Sequence, residues 1–199
     1  MARVWIFIFI FLLFGCGKKD KASSETNSTS KKEKIIKKEL SKATITEPKY
    51  PKFFYIKDVD NRKSRIDIYK DRVLFHKIKQ KIVVLNIFSA TSPPCRGFLP
   101  YLNDLQKRNK KDIFVLGILI DKDMDSISLR KFMKRYHLSF FISNYYTNSD
   151  LVNSLLSRLK LPTIYKIPLT IIYKNGKYVI HLSGAVPPEM IKNIIDQLK

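Results

Sequence analysis

Residues 81–89, KIVVLNIFS, constrain the fold more tightly than any other stretch. β-Branched and apolar side chains run through them almost unbroken. A strand with one wet face alternates apolar and polar residues. An unbroken run marks a strand covered on both faces, which needs layers of structure above and below it. The loop ATSPP follows, and then Phe98, Leu99, Leu102 and Leu105 recur at helical spacing over 93–109. A second apolar run, DIFVLGILID (112–121), predicts another buried strand, and SFFIS (139–143) a short one. Helices are expected over SISLRKFMKRYH (126–137), with Ser126 as a candidate N-cap, over SDLVNSLLSRLK (149–160), and over PPEMIKNIIDQLK (187–199), which has Pro in its first turn. Two hairpins complete the pattern. One pairs FFYI (53–56) with SRIDIY (64–69) around DVDNR. The other spans PLTIIYKNGKYVIHLSG (168–184), where Asn-Gly suits a type I′ turn. Together these elements predict one α/β domain over 51–199, with a central mixed β-sheet flanked by helices.

The first sixteen residues, MARVWIFIFIFLLFGC, carry one charge, Arg3, before an apolar run from Val4 to Phe14. Eleven residues are too few to span a bilayer as a helix and suit the apolar core of a signal peptide. LFGC (13–16) resembles the lipobox of bacterial lipoproteins. That resemblance implies a signal peptide over 1–15, a lipid on Cys16, and an exported protein anchored to the cell envelope on its periplasmic side, at the inner or outer membrane. Residues 16–50 are polar and charged with no sustained apolar period, and cannot bury enough surface to fold alone. They are expected to form a flexible basic tether. Only two cysteines exist, Cys16 and Cys95. With Cys16 acylated, Cys95 is the sole thiol, and no disulfide can form within the chain.

The net charge is +21, and it is not confined to the tether, because residues 51–199 hold 27 Lys/Arg against 12 Asp/Glu. No Lys/Arg stripe interleaves with aromatics as a single-strand binding groove requires, so nucleic acid is not an expected partner. An anionic membrane surface is the better counterpart. Nothing in the sequence implies a metal or an organic cofactor, and the domain is expected to be a monomer.

The chemistry concentrates in SATSPPCRGFLP (89–100). A thiol at the start of a helix meets unpaired N–H groups and a partial positive charge, both of which favour thiolate. Ser92 suits the N-cap, with Pro93 and Pro94 at the first two helical positions. Pro94 has no N–H, so a capping serine oxygen would accept from the N–H of Cys95. The three histidines, His76, His137 and His181, are not placed by sequence near Ser92, so no general base is at hand to make it a nucleophile.

VVLNIFSATSPPCRGFLPYLNDL resembles the active-site segment of the thioredoxin-like, membrane-tethered disulfide reductases of the TlpA group, whose pattern is roughly V-V-L-N-F-W-A-T-W-C-P-P-C-R-x-x-x-P. Asn86, Pro93, Pro94, Cys95, Arg96 and Pro100 fall on matching positions. DKDMDSISLRKFMKRYHLSFFI resembles that group's extra helix and strand. IPLTIIYKNGK resembles its x-P-T-T-F-L-I-D-x-x-G, which places Pro168 at the cis-proline position, eight residues before Gly176; Pro162 has the wrong spacing. The resemblance covers about 51–199. It implies a thioredoxin-like fold and substrate contacts from Pro93, Pro94, Arg96, Ile167 and Thr170, with the backbone of Ile167 pairing to an extended substrate segment.

One departure outweighs the matches. The first cysteine of Cys-x-x-Cys, the nucleophile, is Ser92, and the two Trp positions are Phe88 and Thr91. The two-thiol cycle is therefore closed to this chain. Cys95 alone can still form a mixed disulfide with an exported Cys-containing protein or a redox-partner protein. The alternative is a redox-inactive binding or chaperone module that keeps the groove and lets Cys95 serve as packing. A third reading, thiol peroxidase, draws on the peroxiredoxin pattern P-x-x-x-T/S-x-x-C; Ser92 and Cys95 have its spacing, but Phe88 stands at its proline.

Overall fold

The apolar run of 82–88 forms the middle strand of a five-stranded sheet in the computed structural model, which describes residues 50–199. The expected signal peptide, the lipidated Cys16 and the tether up to residue 49 lie outside the described residues. In chain order the elements are β1 (Lys52–Lys57), β2 (Lys63–Ile68), β3 (Val73–Phe75), β4 (Ile82–Phe88), α1 (Pro93–Arg108), β5 (Ile113–Leu119), α2 (Ser126–Arg135), β6 (Phe141–Ser143), α3 (Asn148–Arg158), β7 (Leu169–Lys174), β8 (Lys177–Ser183) and α4 (Pro188–Leu198).

The larger sheet runs β6-β5-β4-β7-β8. β5 is parallel to both β4 and β6, while β7 is antiparallel to both β4 and β8, so the sheet is mixed, as expected. All seven residues of β4 are buried. Ile82, Val84 and Phe88 join one apolar layer with Leu99 and Leu102 of α1, Leu129 of α2 and Ile191 of α4. Val83, Leu85 and Ile87 join the opposite layer with Leu151 and Leu155 of α3 and with Ile66 and Val73 of the smaller sheet. That two-sided burial is why β4 reads as unbroken apolar sequence. Close packing also explains Gly117 in β5, where a Cβ would stand 3.1 Å from atoms of Phe88, Phe140 and Ile142.

β1 and β2 form the expected antiparallel hairpin. Its DVDNR turn is organised by Asp58, whose Oδ1 accepts from the N–H groups of Asp60 (3.0 Å) and Arg62 (2.9 Å), while Oδ2 pairs with the Arg62 guanidinium. The sequence reading missed β3, a three-residue strand too short to show a period. It makes the smaller sheet three-stranded, in the order β1-β2-β3. The late hairpin turns through Asn175 (φ 52°) and Gly176 (φ 76°), the two positive φ values of a type I′ turn. Gly176 C=O accepts from the N–H of Val73 at 2.8 Å, joining this turn to β3. No side chain fits there, because a Cβ would fall 2.4 Å from the Val73 carbonyl oxygen.

A second correction concerns α2. Its N-cap is Asp125 rather than Ser126; the Asp125 carboxylate accepts from the N–H of Ser128 at 2.7 Å. Both residues are good caps by type, and only the geometry separates them. Among the described residues, no helix is long and apolar enough to cross a membrane.

Candidate functional site

The site begins where β4 hands the chain to α1. Loop 89–92 is gripped from two sides. On the sheet side, Asp121, just beyond the end of β5, accepts from the backbone N–H of Ala90 (2.6 Å) and from the Ser89 hydroxyl (2.7 Å). Parallel pairing of β4 with β5 brings these residues together. The Ser89 and Thr91 hydroxyls lie 2.8 Å apart, and the Thr91 N–H donates to Ser89 Oγ at 3.2 Å. On the helix side, Arg96 Nη1 donates to the carbonyls of Thr91 (2.7 Å) and Ala90 (3.4 Å). Asp121 carries two charge-assisted bonds at the site, yet local sequence reading missed it, because only the fold brings residue 121 beside residue 90.

Ser92 is the N-cap of α1 in backbone terms, with φ −77° and ψ 120°. Its carbonyl accepts from the Arg96 N–H at 3.1 Å, and its own N–H donates to the Ser89 carbonyl at 3.3 Å. The expected side-chain cap is absent, since the Ser92 hydroxyl makes no capping bond. Pro93 and Pro94 already remove two orphan donors from the first turn, and Asp121 and Arg96 hold the loop instead. No histidine hydrogen-bonds Ser92 among the described residues: His76 binds Asp67 at 2.9 Å, His181 contacts the Tyr178 hydroxyl at 2.8 Å, and His137 follows the Tyr136 C-cap of α2.

Cys95 is a free cysteine with 0% exposure. It lies in the apolar layer that contains Phe88, Ala90, Phe98 and Leu99. Pro93 and Pro94 are exposed, and Arg96 is half-buried beneath the loop it holds. The Ile167–Pro168 peptide bond is cis. Ile167 packs against the same layer as Cys95, and the Pro168 carbonyl accepts from the Gly184 N–H at 2.8 Å.

Thr170 does not stand where a substrate contact needs it. It is 0% exposed, and its hydroxyl accepts from Asn86 Nδ2 at 2.9 Å, directly across the β4–β7 pairing. It braces the sheet beneath the site. Asn86 Oδ1 is buried without a hydrogen-bond partner. Beside the loop lies a hollow of ≈ 570 Å³ lined by Thr91, Ile120, Asp121, Lys122, Met124 and Ser128 among others. Among the described residues, no group of three His, Cys, Asp or Glu side chains is placed to hold a metal.

Such a site holds one buried thiol at a helix start, an exposed Pro-Pro shoulder and a cis-proline loop on the same layer. The family described as Redoxin matches residues 69–162. Thiol-disulfide oxidoreductase ResA of Geobacillus thermodenitrificans (strain NG80-2) is 25% identical over 147 residues, covering 73% of this chain and 74% of that one. Its namesake in Bacillus cereus (strain ZK / E33L) is 25% identical over 132 residues, covering 66% and 72%. Among solved structures, StoA from Bacillus subtilis aligns with TM-score 0.51 at 19% identity, over 73% of this chain and 98% of that one. A secreted Mycobacterium tuberculosis disulfide oxidoreductase homologous to E. coli DsbE aligns with TM-score 0.51 at 17% identity, over 73% and 96%. The chain has a thioredoxin-like α/β fold, and over these spans it is similar to Redoxin and to thiol-disulfide oxidoreductases.

Proposed function

We propose that this chain acts in thiol–disulfide exchange on exported Cys-containing proteins at the cell envelope, through Cys95 alone. The Redoxin match and the ResA relatives support a thiol-disulfide oxidoreductase-like function. The observation that carries the finer reading is Cys95 itself, a thiol in the first turn of the helix that follows the central strand. In the exchange, the Cys95 thiolate attacks one sulfur of a partner disulfide. The partner S–S bond breaks, a mixed disulfide forms, and the other partner sulfur leaves as thiolate. Resolution needs a thiol from another molecule, because no second cysteine lies in 51–199. Pro93, Pro94 and the Ile167 backbone would border the bound segment. The apolar run over 4–14 and LFGC support export and lipid attachment at Cys16.

Cys95 is fully buried, so attack requires the Ser92–Pro94 shoulder to open. Labelling of the folded protein by iodoacetamide across pH tests this directly. Labelling without denaturant, rising with thiolate fraction, is expected; a thiol that stays silent until the protein unfolds would sink the proposal. Ser92→Cys is a second test. It restores a Cys-x-x-Cys pair and should raise insulin-disulfide reduction from background to a clear rate.

The burial of Cys95 favours one other reading, a binding module whose thiol only packs. It predicts that Cys95→Ala captures the same envelope proteins as the parent. Loss of capture would return the function to the thiol.

A further inference from the structure

The smaller sheet turns one face to the core and leaves much of the other exposed, although Asp67 there is buried between Arg65 and His76, and the Tyr145 ring centroid lies 6.0 Å from the Lys57 ammonium and 5.9 Å from that of Lys63. Ile56, Ile66, Ile68, Val73 and Phe75 point inward. By alternation, Phe53, Tyr55 and Lys57 of β1, Lys63, Arg65 and Asp67 of β2, and Leu74 of β3 share the outer face. The register sets Phe53 opposite Asp67, and Asp67 opposite Leu74. Phe53 is 64% exposed, Leu74 44% and Tyr55 39%. The Lys63 ammonium stands 4.0 Å over the Tyr55 ring.

Charge on this part of the chain is one-sided. Residues 50–81 hold ten Lys/Arg against four Asp. Each of those aspartates is already in an ion pair: Asp58 with Arg62, Asp60 with Arg130, Asp67 with Arg65, and Asp71 with Arg72. The face therefore combines exposed aromatic and aliphatic groups with positive charge that acids on the same segment do not cancel. Residues 1–49 join the described chain at Tyr50, two residues before β1.

We infer that the outer face of β1–β3 docks on an anionic phospholipid bilayer. Phe53 and Leu74 enter the headgroup boundary, and Lys57 and Lys63 meet the headgroup phosphates. Interfacial surfaces combine these two features, apolar groups that leave water and basic groups that gain from the negative surface potential. A free polyanion would use the lysines but gives Phe53 and Leu74 no reason to be exposed. The inference rests on the export reading only for the presence of a membrane, and it is independent of Cys95.

The test uses the full chain reconstituted into vesicles, with Trp5→Phe and a single reporter, Phe53→Trp. In vesicles of brominated phosphatidylglycerol, the Phe53→Trp emission should shift to the blue and be quenched. In brominated phosphatidylcholine, or at high salt, quenching should be lost. A control reporter, Met190→Trp on α4, should stay unquenched throughout. Adding Lys57→Glu and Lys63→Glu should abolish the quenching, since losing two basic residues at about 1 kcal/mol each already weakens docking about thirtyfold. Equal quenching of the two reporters, quenching that ignores lipid charge, or quenching that survives both reversals would each overturn the inference. Labelling of Cys95 in the same samples reports separately on the thiol reading.

Discussion

Two helices in this domain follow parallel strands of the same sheet, and they start in different ways. α2 closes its first turn locally, with the Asp125 carboxylate on the Ser128 N–H. α1 has Ser92 at the corresponding position, with no side-chain bond and two prolines in place of donors. Its loop is held instead by Asp121 from beyond β5 and by Arg96 from the helix itself. A locally capped helix depends on its own few residues. A helix held from a distance depends on those distant residues, and Cys95 sits at its start.

Asp121→Ala should have the largest effect. It strips a charged acceptor from the Ala90 N–H and the Ser89 hydroxyl, and hydrogen bonds to charged groups are worth about 1.5–3 kcal/mol each. A loss of about 3 kcal/mol in urea unfolding is expected, with faster labelling of Cys95 at urea concentrations too low to unfold the domain. Labelling that tracks only global unfolding would show that Asp121 does not hold the start of α1.

A smaller effect separates the two caps. Asp125→Ala should lower the melting temperature, whereas Ser92→Ala should leave it unchanged, because the Ser92 hydroxyl caps nothing. Equal losses would mean that the two starts are alike in solution.

Acid sharpens the same contrast. Hydrogen bonds from Ser128, the backbone N–H foremost, hold the Asp125 carboxyl below its ordinary 3.8. A carboxyl with a lowered folded pKa stabilises fully above its unfolded value and loses that contribution as pH falls through the folded one. The difference in melting temperature between the parent and Asp125→Ala should therefore be complete at neutral pH and shrink as pH falls below 3.8 and through the lowered folded value.

The sequence made the layered domain legible where a strong period repeats over many residues. β4 and β5 are unbroken apolar runs, α1 carries a clear apolar stripe, and Asn175-Gly176 names its own turn. β3 escaped because three residues carry no period. Part of the site was legible through spacing: the Pro-Pro-Cys start of α1 and the proline eight residues before Gly176. Asp121 was invisible, since its partners lie some thirty residues away and meet it only through strand pairing. Thr170 looked like a groove residue from its place near Pro168, but strand alternation turns its side chain inward onto Asn86.

The contact between Gly176 and Val73 has a consequence for the order in which this chain assembles. The Val73 N–H of β3 donates to the carbonyl of a turn about a hundred residues further along, and contacts of that separation form late and slowly. During synthesis, β1, β2 and β3 have all their sheet partners once residue 75 is made, but the bond that ties this sheet to the late hairpin waits until that hairpin has left the ribosome.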